Sequence, residues 1–399
     1  MKIIIGLTLI VLLALLGSRR TFTKVKLPLA ARHIYLTGTE FILVGLCLGG
    51  LMLGLLDFKA LRGLDPLLHL AFGWIGLLFG IQLQIGRVGH FGRQYLLFAL
   101  LQAVVTFFFC CLPFLLLLPV LGIQDDFVLL GALTLGAIAV PTAQSSLAMI
   151  QRELGLGRNK LMEMLSYVAG IDAMVALVIF GFLFCFAHCQ KLGNIIALVN
   201  LQYVGISIGL GLGTGLLLHF LTRIRCSQEE LVLFVIGSVA FCAGAAASLG
   251  VSPLFVTFLS GMMIANLRGQ KARISRALNT LEKPLYIIVL IMGGAMLGPV
   301  ADWPLVLLLA AIYIVLRVGG KVAGGLLSSG VLRSPERIPR PVGLALTSQG
   351  GMAAAMVVSF HRAFDDELSN TILMMILVAI VINELIGPFL ARFLVRGAR

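Results

Sequence analysis

The sequence predicts an all-α polytopic membrane protein with about thirteen transmembrane helices. Three observations lead there. Of the 399 residues, 60% are hydrophobic and 12% charged, about half the charge of an ordinary soluble domain; mean hydropathy is +1.07. Apolar runs near twenty residues long recur from end to end, the length that a hydrocarbon core of about 30 Å demands. Those runs also lack the period-two alternation, about ten residues per strand, of an outer-membrane barrel. The whole of 1–399 therefore reads as a single membrane domain.

Breaks at Gly, Pro and charge divide the chain into candidate spans at 1–17, 39–56, 66–86, 94–120, 127–150, 161–187, 195–221, 229–248, 252–267, 284–299, 303–327, 341–361 and 369–391. Span one carries only Lys2 ahead of its apolar run, has no A-x-A site and precedes the cluster Arg19, Arg20, Lys24, Lys26 and Arg32. It reads as a retained helix with its N-terminus outside. Connections after odd-numbered spans, with the C-terminal tail, hold 23 Lys and Arg, whereas the other connections and Lys2 hold 5. The odd connections and the C-terminus are therefore expected in the cytoplasm. This also accounts for the formal charge of +13 without nucleic acid, for which the chain offers no soluble basic domain. Six spans, a linker at 195–221 and six more spans would invert the second half relative to the first, the inverted-repeat plan of many secondary transporters.

Two spans are interrupted at matching places. Span five contains Pro141 followed by Thr142, Gln144, Ser145 and Ser146; span twelve contains Thr347, Ser348, Gln349, Gly350 and Gly351. Proline removes a backbone donor and glycine weakens a helix. Unwound backbone at this depth survives only if it is buried in protein or lines water, so two crossed half-helices around an ion site are expected. The plainer alternative is a proline kink and a glycine packing face.

Span six holds one acid near its middle, Asp172, with no neighbouring base. An isolated charge there costs about 3 kcal/mol or more, so Asp172 either carries a proton or faces a hydrated cavity, and either state suits alternate binding of a proton and a cation. Thr142, Gln144 and Ser145 are the expected oxygen donors beside it. Apart from Lys2 at the very start of span one, the only Lys or Arg inside a span are Arg317 and Lys321, four apart on one helix face. They are expected to support the site by pairing with an acid or with the carbonyl ends of half-helices; the alternative is snorkelling to the cytoplasmic end. Glu384 in span thirteen is the repeat counterpart of Asp172 and the carboxylate expected to pair with the basic residues; its alternatives are capping or a lone pair with Arg392. Glu40 and Glu163 stand at span entrances as interfacial anchors.

Enzyme chemistry finds no support, since there is no G-x-x-x-x-G-K-[ST], no H-E-x-x-H and no G-x-S-x-G. No cofactor is expected. The seven cysteines form no C-x-x-C pair and read as small core residues; Cys185, His188 and Cys189 have helical metal-ligand spacing but lack a second pair.

With these residues in hand, the chain resembles the monovalent cation:proton antiporter superfamily, and more closely its second family, which includes bacterial sodium:proton exchangers and Kef-type potassium efflux systems. The resemblance spans nearly the whole chain. It is carried by the order of four signatures: the interruption at 137–146, the acid helix with Ile171-Asp172-Ala173, the basic helix from Arg317 to Gly324, and Leu344 to Gly351. It implies a homodimer in a bacterial-type cytoplasmic membrane. Residues 1–86 and 229–299 would form a dimerisation part, and 94–187 and 303–391 an ion-translocating core. Asp172 would bind the monovalent cation or the proton, and Lys321, or failing that Arg317, would support the crossed helices. Members commonly carry Asn-Asp or Asp-Asp where this chain has Ile171-Asp172.

Antiport of sodium or potassium against protons by alternating access is thus the leading expectation. A cation channel and a transport-dead sensor or scaffold are the alternatives. With one acid in the middle of span six, a static pair of Lys321 with Glu384 is expected, making exchange one proton for one cation and electroneutral.

Overall fold

The structure, a computed structural model, describes residues 2–18, 38–84, 92–122, 125–153, 160–191, 197–223, 227–267, 271–298, 302–331 and 341–397. The regular structure of these residues is helical, with a single bridge between Gly49 and Leu56 as their only β pairing. In chain order the helices are α1 (Lys2–Ser18), α2 (Glu40–Leu48), α3 (Phe58–Gly63), α4 (Asp65–Gln82), α5 (Arg93–Val120), α6 (Asp125–Ala139), α7 (Gln144–Glu153) and α8 (Lys160–Lys191). Then follow α9 (Ala197–Arg223), α10 (Gln228–Ser248), α11 (Pro253–Asn266), α12 (Lys271–Ala295), α13 (Trp303–Val331), a 3-10 turn (Val342–Leu346), α14 (Gly351–Phe364) and α15 (Glu367–Gly397).

Among the described residues, seven stretches are long and apolar enough to cross a membrane: Arg93–Val120, Val128–Glu153, Lys160–Ala187, Leu201–Arg223, Gln228–Ser248, Trp303–Gly330 and Glu367–Leu394. The expected count of thirteen is not reproduced as thirteen long helices. Span two stops at Leu48, where Gly49 and Gly50 open a turn closed by Leu56 N donating to Leu48 O at 2.9 Å. Span ten starts earlier than its hydropathy suggested: α12 is already helical at Lys271, and Ile274, Ala277 and Leu278 are buried at helical spacing. The basic connections around 19–37 and 332–340 lie outside the described residues.

The chain divides into two compact units. The first contains Met1–Thr23, Val44–Arg87 and Leu177–Met296; the second contains Lys24–Leu43, Val88–Ala176 and Leu297–Arg399. In the first, α4 packs on α11, α12 and α10, and α11 on α9. The α4–α11 seam needs glycine: a Cβ on Gly76 would stand 2.2 Å from Leu254 O, one on Gly80 2.1 Å from Phe258 O, and one on Gly261 2.4 Å from Leu77 O. Trp74 is fixed by its Nε1 donating to Leu278 O at 3.0 Å. Cys185 and Cys242 are buried in an apolar cluster with Ala246, Val251 and Val256, as small core residues; the side chains of His188 and Cys189 lie outside the described set.

In the second unit α5 packs along α13 and α6, α14 on α15, and α15 also on α13 and the 3-10 turn. One order occurs twice there: a long helix, a broken helix and a long helix, as α5, α6/α7, α8 and again as α13, the turn with α14, α15.

Candidate ion-binding site

Both interruptions form as breaks. Helix α6 ends at Ala139 and α7 begins at Gln144; the 3-10 turn ends at Leu346 and α14 begins at Gly351. The two breaks lie against each other, tied by Ala143 N donating to Ser348 O at 3.0 Å and by Ser146 Oγ and Ser348 Oγ at 2.7 Å. The approach depends on two glycines. A Cβ on Gly387 of α15 would stand 2.8 Å from Ser348 Cα, and one on Gly343 would stand 2.0 Å from Lys321 O.

A helix leaves its last carbonyls without internal donors, and at mid-membrane depth no water is at hand to take their place. Here side chains do so in succession. Gln349 Nε2 donates to Ile138 O at 3.1 Å, Arg317 Nε to Ala139 O at 3.0 Å, Lys321 Nζ to Val140 O at 2.6 Å and Arg317 Nη2 to Pro141 O at 2.9 Å. Arg317 reaches the second break as well, donating from Nη1 to Thr347 O and from Nη2 to Ser348 O at 3.4 Å. One fully buried guanidinium thus holds the carbonyls of both breaks, where the dipole of α6 is negative. Of the alternatives open for the basic pair, Arg317 takes the carbonyl ends, and neither base snorkels.

Lys321 takes the acid. Its Nζ lies 2.7 Å from Asp172 Oδ2, with both side chains fully buried, and donates to Thr142 Oγ1 at 3.0 Å. The acid bonded to Lys321 is therefore Asp172, where the sequence favoured Glu384. The three ammonium hydrogens are matched by Val140 O, Thr142 Oγ1 and Asp172 Oδ2. The roles of the bases also differ from expectation, since Arg317, not Lys321, braces the two breaks. Thr142 Oγ1 donates to Asp172 Oδ2 at 2.8 Å and has Leu346 O as a second acceptor at 3.2 Å. Asp172 Oδ1 has no hydrogen-bond partner among the described residues.

Of the three expected oxygen donors, Thr142 reaches Asp172, Ser145 is exposed, and Gln144 is half-buried with its Nε2 over Gly170. Glu384 is fully buried with Oε1 beside Gly350, at the positive N-terminal end of α14. Arg392 lies 3.6 Å from Glu153. Tyr313 and Asn383 were missed, and Ser146 and Ser348 were placed in the interruptions without a role of their own. Tyr313 OH accepts from Gln349 Nε2 at 3.0 Å, and Asn383 Nδ2 donates to Gln349 Oε1 at 3.0 Å. Tyr313 stands one helical turn before Arg317, which was the available signal.

An all-helical membrane chain whose two broken helices meet beside a buried acid–base pair has the architecture of a secondary transporter. The family model described as sodium/hydrogen exchanger, transmembrane, matches residues 9–393; the chain belongs to that family, which is one of transporters rather than enzymes, and it is a multi-pass membrane protein. Among solved structures it is similar to the sodium proton antiporter MjNhaP1 from Methanocaldococcus jannaschii at pH 8, with 14% identity, a TM-score of 0.70 and 99% of each chain covered. A second structure of MjNhaP1, determined by electron microscopy, matches with 13% identity and a TM-score of 0.65 over 98% of this chain and 96% of that one. No curated protein matches the sequence.

Proposed function

We propose that the protein is a secondary antiporter that exchanges a monovalent cation for a proton at the Asp172–Lys321 pair by alternating access. The observation that supports it most is the buried carboxylate itself: one oxygen is bound to Lys321 and Thr142, and the other has no hydrogen-bond partner among the described residues. A cation entering at Oδ1 would leave an extra positive charge buried beside Lys321. An unbalanced buried charge costs about 3–5 kcal/mol, so entry is coupled to departure of a proton from Lys321 Nζ. Carboxylate plus ammonium becomes carboxylate plus cation plus amine, with one proton released and the net charge of the site unchanged. The amine keeps Thr142, whose hydroxyl can donate to it once Asp172 is satisfied by the cation.

Sodium is the first cation to test, since the similar solved structures are of a sodium proton antiporter; potassium is the alternative. All of the site's side chains belong to the second unit, to which we assign ion translocation, and the first unit takes the dimerisation role in a homodimer. The repeated order of long, broken and long helices supports an inverted repeat. The charge asymmetry supports a cytoplasmic C-terminus in a bacterial-type inner membrane.

The test is sodium-driven proton movement in proteoliposomes. Wild type should acidify or alkalinise the lumen according to the direction of the sodium gradient, and Asp172→Asn should abolish this while leaving an assembled protein. Cation flux uncoupled from protons would indicate a channel, no flux with either sodium or potassium a sensor or scaffold, and either result overturns the reading.

A further inference from the structure

Helix α5 is apolar from Leu96 to Pro119 except for Gln102, Thr106 and two cysteines. Gln102 and Thr106 lie four apart on the face that meets α13, and both are fully buried. Their places are set by glycine: the Cβ position of Gly324 is 3.2 Å from Gln102 Cα, and that of Gly320 is 3.2 Å from Thr106 Cα. Thr106 is thus level with the residue preceding Lys321. On α13, Ser328 is also fully buried and shares the face of Lys321 and Gly324, about 10 Å from Lys321 along the helix axis. It lies near the end of α13 that the charge asymmetry assigns to the cytoplasm.

Two of these three side chains have an oxygen without a protein partner among the described residues: Gln102 Oε1 and Ser328 Oγ. Gln102 Nε2 donates to Thr106 Oγ1 at 3.2 Å, and Thr106 Oγ1 donates to Gln102 O at 2.9 Å; turning the amide over would only exchange which end is open. Serine in a helix commonly bonds back to the preceding turn, as Ser329 does to Leu326 O at 2.9 Å, but Ser328 does not. Buried polar groups left in this way bind water.

We propose that Gln102, Thr106 and Ser328 hold a file of water that carries protons between the cytoplasmic end of α13 and Lys321, giving the proton a route of its own inside the second unit. This rests on the exchange reading above. As the cation leaves Asp172, the adjacent water gives a proton to the Lys321 amine lone pair and is reprotonated by the water behind it, so one proton enters from the cytoplasm in place of the cation.

The experiment compares wild type, Gln102→Leu, Ser328→Ala and Ser328→Thr in proteoliposomes, in light and heavy water, alongside sodium affinity measured on the purified proteins. The route predicts unchanged sodium affinity, an exchange rate lowered about tenfold or more in Gln102→Leu and Ser328→Ala, a larger solvent isotope effect as proton delivery becomes limiting, and restoration by Ser328→Thr. Wild-type rate and isotope effect in both Gln102→Leu and Ser328→Ala, with sodium binding retained, would overturn the route and leave the exchange reading standing. No proton movement driven by either sodium or potassium in wild type would overturn both.

Discussion

Replacing Arg317 with methionine retains much of the side-chain volume and removes the guanidinium that joins the two breaks. It donates to Ala139 O at 3.0 Å, to Pro141 O at 2.9 Å and to Thr347 O; the fourth contact, to Ser348 O, is long at 3.4 Å. A buried carbonyl that loses its donor costs about 1–3 kcal/mol, so three of them set a range of about 3–9 kcal/mol. Local relaxation puts the expected loss near the lower end, about 4 kcal/mol, or about 8–16 °C in thermal midpoint by the scaling for domains of 150–250 residues. Arg317→Lys keeps the charge but not the fork that reaches both breaks, and should lose about half as much. The assay is the folded fraction of detergent-purified protein after graded heating, read by size-exclusion chromatography. A methionine variant within about 2 °C of wild type would show that the carbonyls find other donors, and would refute the bracing role.

Three further outcomes follow from the same geometry. Gly387→Ala would place a Cβ 2.8 Å from both Ser348 Cα and N, backbone that cannot swing aside; a loss of about 1–3 kcal/mol and weaker cation binding are expected in the same heating assay and in titration, and wild-type values in both would show that the breaks have slack. One-for-one exchange should proceed at a rate independent of imposed membrane potential in proteoliposomes, and a rate that tracks voltage would reveal net charge movement. At the exposed end of the first unit, the Asp57 carboxyl is held below the usual carboxylate range by Ala60 N and then by Lys2; this stabilisation is present above the ordinary carboxylate value and is lost as pH falls through the lower folded value. Amide exchange at the start of α3 should therefore quicken at acid pH in wild type but not in Asp57→Asn, and equal pH responses would refute the link.

What the sequence showed of the site was whatever stands out against an apolar background. Asp172, Arg317, Lys321 and Pro141 are costly in a membrane, so their presence alone argued for partners. The partners themselves were hidden. Pairing Lys321 with Asp172 instead of Glu384 depends on how α8 and α13 are rotated, which no single-helix pattern encodes. The carbonyls of 138–141 are backbone and leave no mark in side-chain identity, yet they engage both bases. Ser146 was passed over for Ser145 because the first turn of α7 is polar on every side and its buried face is decided by Ser348. The start of α12 was lost for a related reason: Lys271–Lys283 is polar on average, and only the spacing of Ile274, Ala277 and Leu278 betrays a helix with a buried face.

In the proposed exchange a cation and a proton displace one another at Asp172 and Lys321, and the proton released when sodium is added to purified protein in weakly buffered detergent solution reports that displacement itself. One proton should be released per sodium bound in wild type, with neither binding nor release in Asp172→Asn and no release from Lys321→Arg, whose guanidinium does not give up its proton. Sodium bound by wild type without proton release, or full release from Lys321→Arg, would contradict it.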